Sequence, residues 1–178
     1  MRRLTTVLFV ALSSVGIAAG ASALSVDPNP VNFGNGQTEG WVDYDVSGST
    51  LTMVVGVTAG KVARSRVSVA GRTPLAAGTL GGPDVNIRRV VIRSDGSVDF
   101  YFKESFFHLH IHAGQQSDPH YVTYDTLAAG DVITFTGFRD NIFGSFASVQ
   151  ATIVPEPSTA VLVGLGIAGL AIAGRRRE

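Results

Sequence analysis

The sequence predicts an all-β protein whose body is an antiparallel β-sandwich or jelly roll, with a closed barrel as the alternative. Short runs of residues alternate between apolar and polar, as in strands with one buried face, and no segment has a long apolar stripe at helical spacing. Glycine-containing turns separate these runs and give eight or nine candidate strands.

Each alternating run places its apolar residues on one face of a strand. These residues are Leu51, Met53, Val55 and Val57; Val67 and Val69; Val90 and Ile92; Val98, Phe100 and Phe102; Phe107, Leu109 and Ile111; and Ile133 and Phe135. Between two of the runs, Asp95 and Gly96 predict a tight hairpin turn in which both residues have positive φ.

Two segments are rich in residues that break strands. Residues 27–40 predict a leading loop or an interrupted edge strand, and residues 73–86 predict a second long loop. Loops on a rigid sheet often carry binding residues, which makes Gly81, Gly82 and Asp84 candidates, with a plain crossover between sheets as the simpler interpretation.

The composition excludes several classes of function. The 178 residues include 14 Lys+Arg and 14 Asp+Glu, but residues 24–153 hold only nine of the basic and twelve of the acidic ones. This weakly acidic body argues against a nucleic-acid partner, since only Arg88, Arg89 and Arg93 approach a basic cluster. The absence of cysteine from the sequence excludes disulfides, thiolate metal sites and cysteine nucleophiles.

The N-terminus has the parts of a secretory signal peptide in their usual order. Arg2 and Arg3 are followed by an apolar run over residues 4–20 and by the small residues 21–23. This order predicts a signal peptide over residues 1–23, cleaved after Ala23, with an uncleaved membrane anchor as the alternative.

The C-terminal segment, residues 154–178, predicts a short membrane anchor. Its apolar stretch, residues 159–174, would span about 24 Å as a helix, which is short of the ~30 Å hydrocarbon core. Arg175, Arg176 and Arg177 follow it and predict that the tail ends in the cytoplasm. Both ends therefore place the body, residues 24–153, outside the cytoplasm.

The tail begins Val-Pro-Glu-Pro-Ser, continues with a glycine-containing apolar segment and ends in an arginine cluster. In this order of parts it resembles the PEP-CTERM sorting signal of Gram-negative bacteria. The resemblance implies that Pro155, Glu156 and Pro157 are recognised by an exosortase, a membrane-embedded processing enzyme. It also implies transient residence in the inner membrane, a final location at the cell surface or in the extracellular matrix, and a host that makes extracellular polysaccharide.

All four histidines of the chain lie close together in the sequence, and with Asp118 they form a candidate metal site. His108, His110 and His112 share one face of the predicted strand, where adjacent imidazoles are about 6.5–7 Å apart and can share a zinc or other divalent ion. If residues 114–119 turn back, Asp118 and His120 complete the set. A polar sheet face without a metal is the alternative.

Aromatic residues suggest a second kind of site. Tyr101 alternates with Asp99 and Lys103 on the predicted outer face of a strand, and such rims of aromatic and polar residues hold sugar rings in β-sandwich modules. Asp43 and Asp45 could similarly bind calcium, although a solvated strand face explains them equally well.

The sequence contains no Gly-x-Ser-x-Gly, no phosphate-binding glycine loop and no His-Glu-x-x-His. We therefore expect a non-enzymatic protein of the cell surface or extracellular matrix, either structural or in contact with extracellular polysaccharide, that needs no cofactor. The alternative is a metal-binding protein or metal-dependent enzyme that uses the histidines.

Overall fold

The computed structural model describes residues 23–103, 110–139 and 145–156, with only the backbone of residues 145 and 146. This part of the chain forms fourteen β-strands and contains no helix, so it includes no helix that could cross a membrane. The all-β class predicted from the alternating residues is confirmed. Residues 1–22 of the predicted signal peptide and the predicted C-terminal helix lie outside the described residues.

The strands vary from two to eleven residues in length. They are β1 Leu24–Asp27, β2 Val31–Gly34, β3 Glu39–Ser47, β4 Thr50–Ala59, β5 Lys61–Val62, β6 Arg64–Val69, β7 Pro74–Thr79, β8 Asn86–Ile92, β9 Val98–Lys103, β10 Ile111–His112, β11 Gln115–Gln116, β12 His120–Tyr124, β13 Val132–Phe138 and β14 Ser145–Pro155.

Twelve of the strands form two six-stranded sheets whose neighbours pair antiparallel. Sheet A has the order β1-β14-β13-β6-β9-β8. Sheet B has the order β2-β3-β4-β12-β7, with β11 also paired to β4. The short strands β5 and β10 pair with each other.

Side chains from both sheets meet in one core. Phe33 of sheet B stacks on Phe135 of sheet A with ring centroids 5.2 Å apart. All four inner residues predicted for β4 are buried, as are the three predicted for β9. Full burial of each such side chain contributes about 1.5–3 kcal/mol. Burial of the apolar residues on the inner faces therefore stabilises the packing of the two sheets.

The prediction of a long loop over residues 73–86 was wrong at its start. Pro74–Thr79 is strand β7, which pairs with β12 at the edge of sheet B. Proline is tolerated at the first residue of an edge strand because its missing N–H removes no essential hydrogen bond. The small residues of β7 hide the alternation that marks other strands.

The turn between β8 and β9 is longer than predicted. Gly96 has φ of 79°, but none of the described non-glycine residues has a positive φ, Asp95 included. The N–H of Arg93 donates to the carbonyl of Ser97 at 2.8 Å, which closes the loop with three residues between them. Asp95 instead accepts a hydrogen bond from the N–H of Ser97 at 2.9 Å.

The first and last described residues, Ala23 and Glu156, lie at the same end of the sheets, which we call the chain-end pole. Strand β1 pairs with β14 with Leu24 opposite Pro155. Beyond this pair, the N–H of Glu156 donates to the carbonyl of Ala23 at 2.8 Å. The point where the chain enters the body is therefore hydrogen-bonded to the point where it leaves.

The opposite end of the sheets is the distal pole. In sheet A, β13 ends there at Phe138, which lies opposite Arg64, and Arg64 lies opposite Tyr101. In sheet B, the turn between β3 and β4 borders Ala23 at the chain-end pole. Trp41, near the start of β3, therefore lies toward the distal pole.

Candidate functional site

The candidate metal ligands are not brought to one point. His110 and His112 lie side by side with ring centroids 5.5 Å apart, as predicted for neighbours on one face. The Nζ of Lys61 lies 3.0 Å from the Nε2 of His110. An ammonium group can only donate, so this contact occupies the lone pair that a metal would need. His108 lies outside the described residues.

His120 is part of the core. It is fully buried, and its ring centroid lies 4.4 Å from that of Phe100 and 5.9 Å from that of Phe102. Its Nδ1 donates to the backbone carbonyl of Asp118 at 3.0 Å. Burial, partly offset by this hydrogen bond, lowers the pKa of His120 to about 4, so the ring is neutral at pH 7.

Within residues 23–103, 110–139 and 145–156, no three His, Asp or Glu side chains form a group that could hold a metal ion. The predicted set of His110, His112, Asp118 and His120 is thus not assembled. The sequence contained the signal: in His-Tyr-Val-Thr-Tyr, the residues that alternate inward are His120, Val122 and Tyr124, all of them buried.

The predicted sugar contact at Asp99 is also corrected. Asp99 does point to the outer side of sheet A, but three arginines cover it and leave it 0 % exposed. Arg66 binds it through Nε at 2.7 Å and Nη2 at 3.3 Å, and Arg93 adds two further hydrogen bonds. A carboxylate held in this way has no surface to offer a sugar. Tyr101 remains half-buried on the same face.

Burial of Asp99 by itself would raise its pKa. The hydrogen bonds from Arg66 and Arg93 and the charges of Arg66 and Arg64 outweigh this effect, and the pKa of Asp99 lies below its usual value. The carboxylate is therefore ionised throughout the neutral range and compensates part of the arginine charge around it.

A groove that the sequence did not predict opens beside Trp41, the one tryptophan of the chain. It has a volume of about 840 Å³, and its walls include Pro83, Asp84, Gln115 and Gln116. The amide of Gln116 donates to the carboxylate of Asp84 at 3.0 Å. The loop candidate Asp84 is therefore a wall residue of an open polar groove.

The indole of Trp41 lies flat on the sheet because the residue opposite is glycine. A Cβ atom added at Gly56 would lie 2.2 Å from Cε2 of Trp41, which leaves no room for any side chain there. A similar arrangement occurs on β12 and β7, where a Cβ at Gly78 would lie 3.0 Å from the phenol oxygen of Tyr121. Both rings belong to the outer side of sheet B, and both are half-buried.

Asp118 and its neighbours support the groove from inside. The Oδ1 of Asp118 accepts the N–H of Asp84 at 2.9 Å, and Ser117 accepts the N–H of Val55 at 3.0 Å. A Cβ at Gly82 would lie 2.7 Å from the same Asp118 oxygen, so only glycine allows this approach. Asp118, which was predicted as a metal ligand, instead fixes the position of the groove wall.

Two residues of the sorting motif, Pro155 and Glu156, stand at the chain-end pole. Pro155 ends β14, and Glu156 follows it in hydrogen-bond contact with Ala23. Pro157 and the arginine cluster Arg175, Arg176 and Arg177 lie outside the described residues.

Comparison with known protein families identifies this tail. Residues 154–177 match the PEP-CTERM protein-sorting motif, which confirms the resemblance noted from the sequence. The motif implies export and exosortase-dependent sorting to the cell surface. Neither a curated protein nor a solved structure is significantly similar to the chain.

Proposed function

We propose that this protein is an exported, non-enzymatic protein of the cell surface or extracellular matrix that binds polysaccharide in the groove beside Trp41. The observation that carries the proposal is the indole laid flat over Gly56 at the wall of an open groove. A flat, half-exposed ring matches the apolar face of a sugar ring, and the groove is open enough to admit a continuous chain.

The polar side chains of the groove supply the other half of sugar recognition. The amides of Gln115 and Gln116 and the carboxylate of Asp84 provide donors and acceptors for hydroxyl groups beside the aromatic surface. The hydrogen bond between Gln116 and Asp84 orders both side chains before a ligand arrives, which lowers the entropy cost of binding.

The placement of the groove suits a protein held at its end. Trp41 lies toward the distal pole, whereas Ala23 and Glu156 lie together at the chain-end pole. A polymer could occupy the groove while the tail is still in the membrane. The non-enzymatic part of the proposal draws support from His120, a candidate ligand of a catalytic metal, which is buried in the core.

For sorting, we propose cleavage after Ala23, temporary retention by residues 159–174 and processing near Pro155, Glu156 and Pro157. Mass spectrometry of the surface-exposed protein should find Leu24 first and no peptide from the arginine tail. Replacing Pro155 and Pro157 by alanine should leave the protein in the inner membrane. An intact tail on surface material would disprove the processing step alone.

The groove is tested by binding to polysaccharide purified from the envelope of the host cell. Trp41→Ala should lower the affinity at least about tenfold, which corresponds to the loss of one stacked ring. Tyr121→Ala removes an aromatic ring from the same side of sheet B outside the groove and should change the affinity less than about twofold. Equal losses in the two variants, or no binding by the wild type, would refute the groove.

A further inference from the structure

The outer side of sheet A carries an unusual concentration of positive charge. We call this surface the arginine face; its residues are Arg64, Arg66, Arg88, Arg89 and Arg93. The body as a whole has more acidic than basic residues. The arginine face is therefore a local reversal of sign, and such a surface attracts anions while the rest of the domain does not.

Asp99 compensates only part of this charge. It pairs with Arg66, Arg93 and, at 3.5 Å, Arg64. Three guanidinium groups and one carboxylate give this cluster a net charge of +2. The Nε of Arg64 is buried and has no hydrogen-bond partner among the described residues. Its Cζ lies 3.8 Å from the ring centroid of Phe138, which holds the guanidinium in place.

Arg88 and Arg89 add two charges without a carboxylate partner in the described part of the chain. The register of β8 shifts between Ile87 and Arg89, so Arg88 is an extra residue in the strand. Bulges of this kind redirect side chains. Here both arginines line one small cavity of about 190 Å³ together with Tyr101.

Tyr101 links this cavity to the rest of the arginine face. The Cζ of Arg89 lies 5.7 Å from its ring centroid on one side, and the Nη1 of Arg64 donates to its hydroxyl at 3.4 Å on the other. The half-buried ring is thus fixed between cations. An anionic group bound by Arg88 and Arg89 would have the Tyr101 ring as its neighbour.

We infer that the arginine face is a second binding site, for a polysaccharide that carries carboxylate groups, with Arg88, Arg89 and Tyr101 as its contact residues. Guanidinium binds carboxylate through two parallel hydrogen bonds, the same geometry that Arg66 and Asp99 adopt within the protein. In this site the arginines bind the acidic group, and Tyr101 supplies an apolar surface for the sugar ring.

Nucleic acid fits this surface less well. Its charges are denser than those of an acidic polysaccharide, and the acidic remainder of the body repels a closely charged polymer that extends past the patch. The aromatic residues of the two sites stand on different sheets, since Tyr101 belongs to sheet A and Trp41 to sheet B, and no described residue lines both sites.

The test uses the full-length chain purified in detergent, with polygalacturonate as the acidic probe and neutral dextran and double-stranded DNA as the others. Arg89→Gln should weaken polygalacturonate binding about tenfold, the loss expected for one charge-assisted contact. Arg139→Gln removes the same charge from an exposed residue that bonds Gln37, and should change the affinity less than about twofold. Raising the salt concentration should weaken binding by the wild type.

Equal losses in Arg89→Gln and Arg139→Gln would overturn the site, as would no polygalacturonate binding by the wild type. DNA bound as tightly as polygalacturonate would overturn it too, because the arginine face would then bind any polyanion and would not be selective for sugar carboxylates. Arg89→Gln should retain wild-type binding to the envelope polysaccharide at the Trp41 groove when that polysaccharide is neutral. The two sites can therefore fail separately.

Discussion

The outer sides of the two sheets differ in almost every respect. Sheet A exposes arginines around the buried carboxylate of Asp99, whereas sheet B exposes aromatic rings that lie on glycines, with Asp43 and Asp45 beside them. Both follow from the same rule, since every second residue of a strand points away from the core. One fold can thus present two chemically unrelated surfaces, because the core constrains only alternate positions.

The largest difference in the free energy of unfolding should appear when one carboxylate is removed from the outer side of each sheet. Asp99→Ala leaves Arg64, whose side chain is only 12 % exposed, without its anionic partner. Breaking such a buried pair from one side should lower the free energy of unfolding by about 3 kcal/mol. Denaturant unfolding followed by circular dichroism measures this change.

The matched control is Asp43→Ala on sheet B. Asp43 is exposed on the outer side of β3, and its removal should alter the free energy of unfolding by less than about 0.5 kcal/mol. Similar losses in the two variants would mean that the arginines of sheet A do not depend on Asp99.

As the pH falls, His120 in the core and Asp99 on the outer side of sheet A should reduce the stability of the fold in two different pH ranges. The folded protein protonates His120 only near pH 4, whereas an unfolded histidine protonates near pH 6.5. The unfolded state therefore holds more protons between these values, and stability should fall by about 1.4 kcal/mol for each pH unit below about 6.5. The depressed pKa of Asp99 acts in a lower window, where stability is lost as pH falls below its ordinary value of about 3.9.

Melting temperatures measured from pH 8 to pH 3 test this separation. His120→Leu should remove the slope between pH 6.5 and about 4 and keep the loss at lower pH. A variant that retains the upper slope would assign that slope to other groups.

A smaller effect should distinguish the two glycines of sheet B. Gly56→Ala forces the indole of Trp41 off the sheet and should cost about 1–2 kcal/mol, together with groove binding. A Cβ at Gly78 would lie 3.0 Å from the Tyr121 hydroxyl, farther than the 2.2 Å at Gly56, and a small tilt of the phenol ring relieves it, so Gly78→Ala should stay within about 0.5 kcal/mol. Calorimetric melting of both variants decides the matter, and equal costs would show that Trp41 is not held by Gly56.

The smallest expected effect is that of zinc. Because His120 faces the core and Lys61 occupies His110, we expect added zinc or a chelator to leave the melting temperature unchanged. A stabilisation of about 2.7 kcal/mol at a hundredfold excess over the dissociation constant would instead restore the metal hypothesis.

Local patterns in the sequence were sufficient to predict the strands with strong alternation, such as β4 and β9, because burial of one face dictates the pattern. They were also sufficient for the tail, whose parts are contiguous. The alternation even placed Asp99 on the correct side of its strand. It could not show that Arg66, 33 residues away, would cover it.

The groove was beyond sequence reasoning for the same reason. Its walls come from β3, β4, the loop before β8 and the segment from Gly114 to Gln116. Contacts between residues distant in sequence, such as the pairing of Val85 with Ser117, bring these walls together. The metal site predicted from the histidines is not assembled in the described part of the chain, because residues close in sequence need not have side chains close in space. His120 is the first residue of β12, and its side chain points into the core. His112 instead belongs to β10, a short strand paired with β5.

The hydrogen bond between Glu156 and Ala23 has a consequence for how the protein can be labelled. A fluorescent protein fused ahead of Leu24 would emerge beside the sorting motif and would crowd any enzyme that must reach Pro155. Gly36 is an exposed turn residue with nothing within 4 Å of its Cβ position. It precedes the start of β3, so an epitope inserted there would lie toward the distal pole, away from the sorting motif. A protein labelled there would report on export without obstructing the tail.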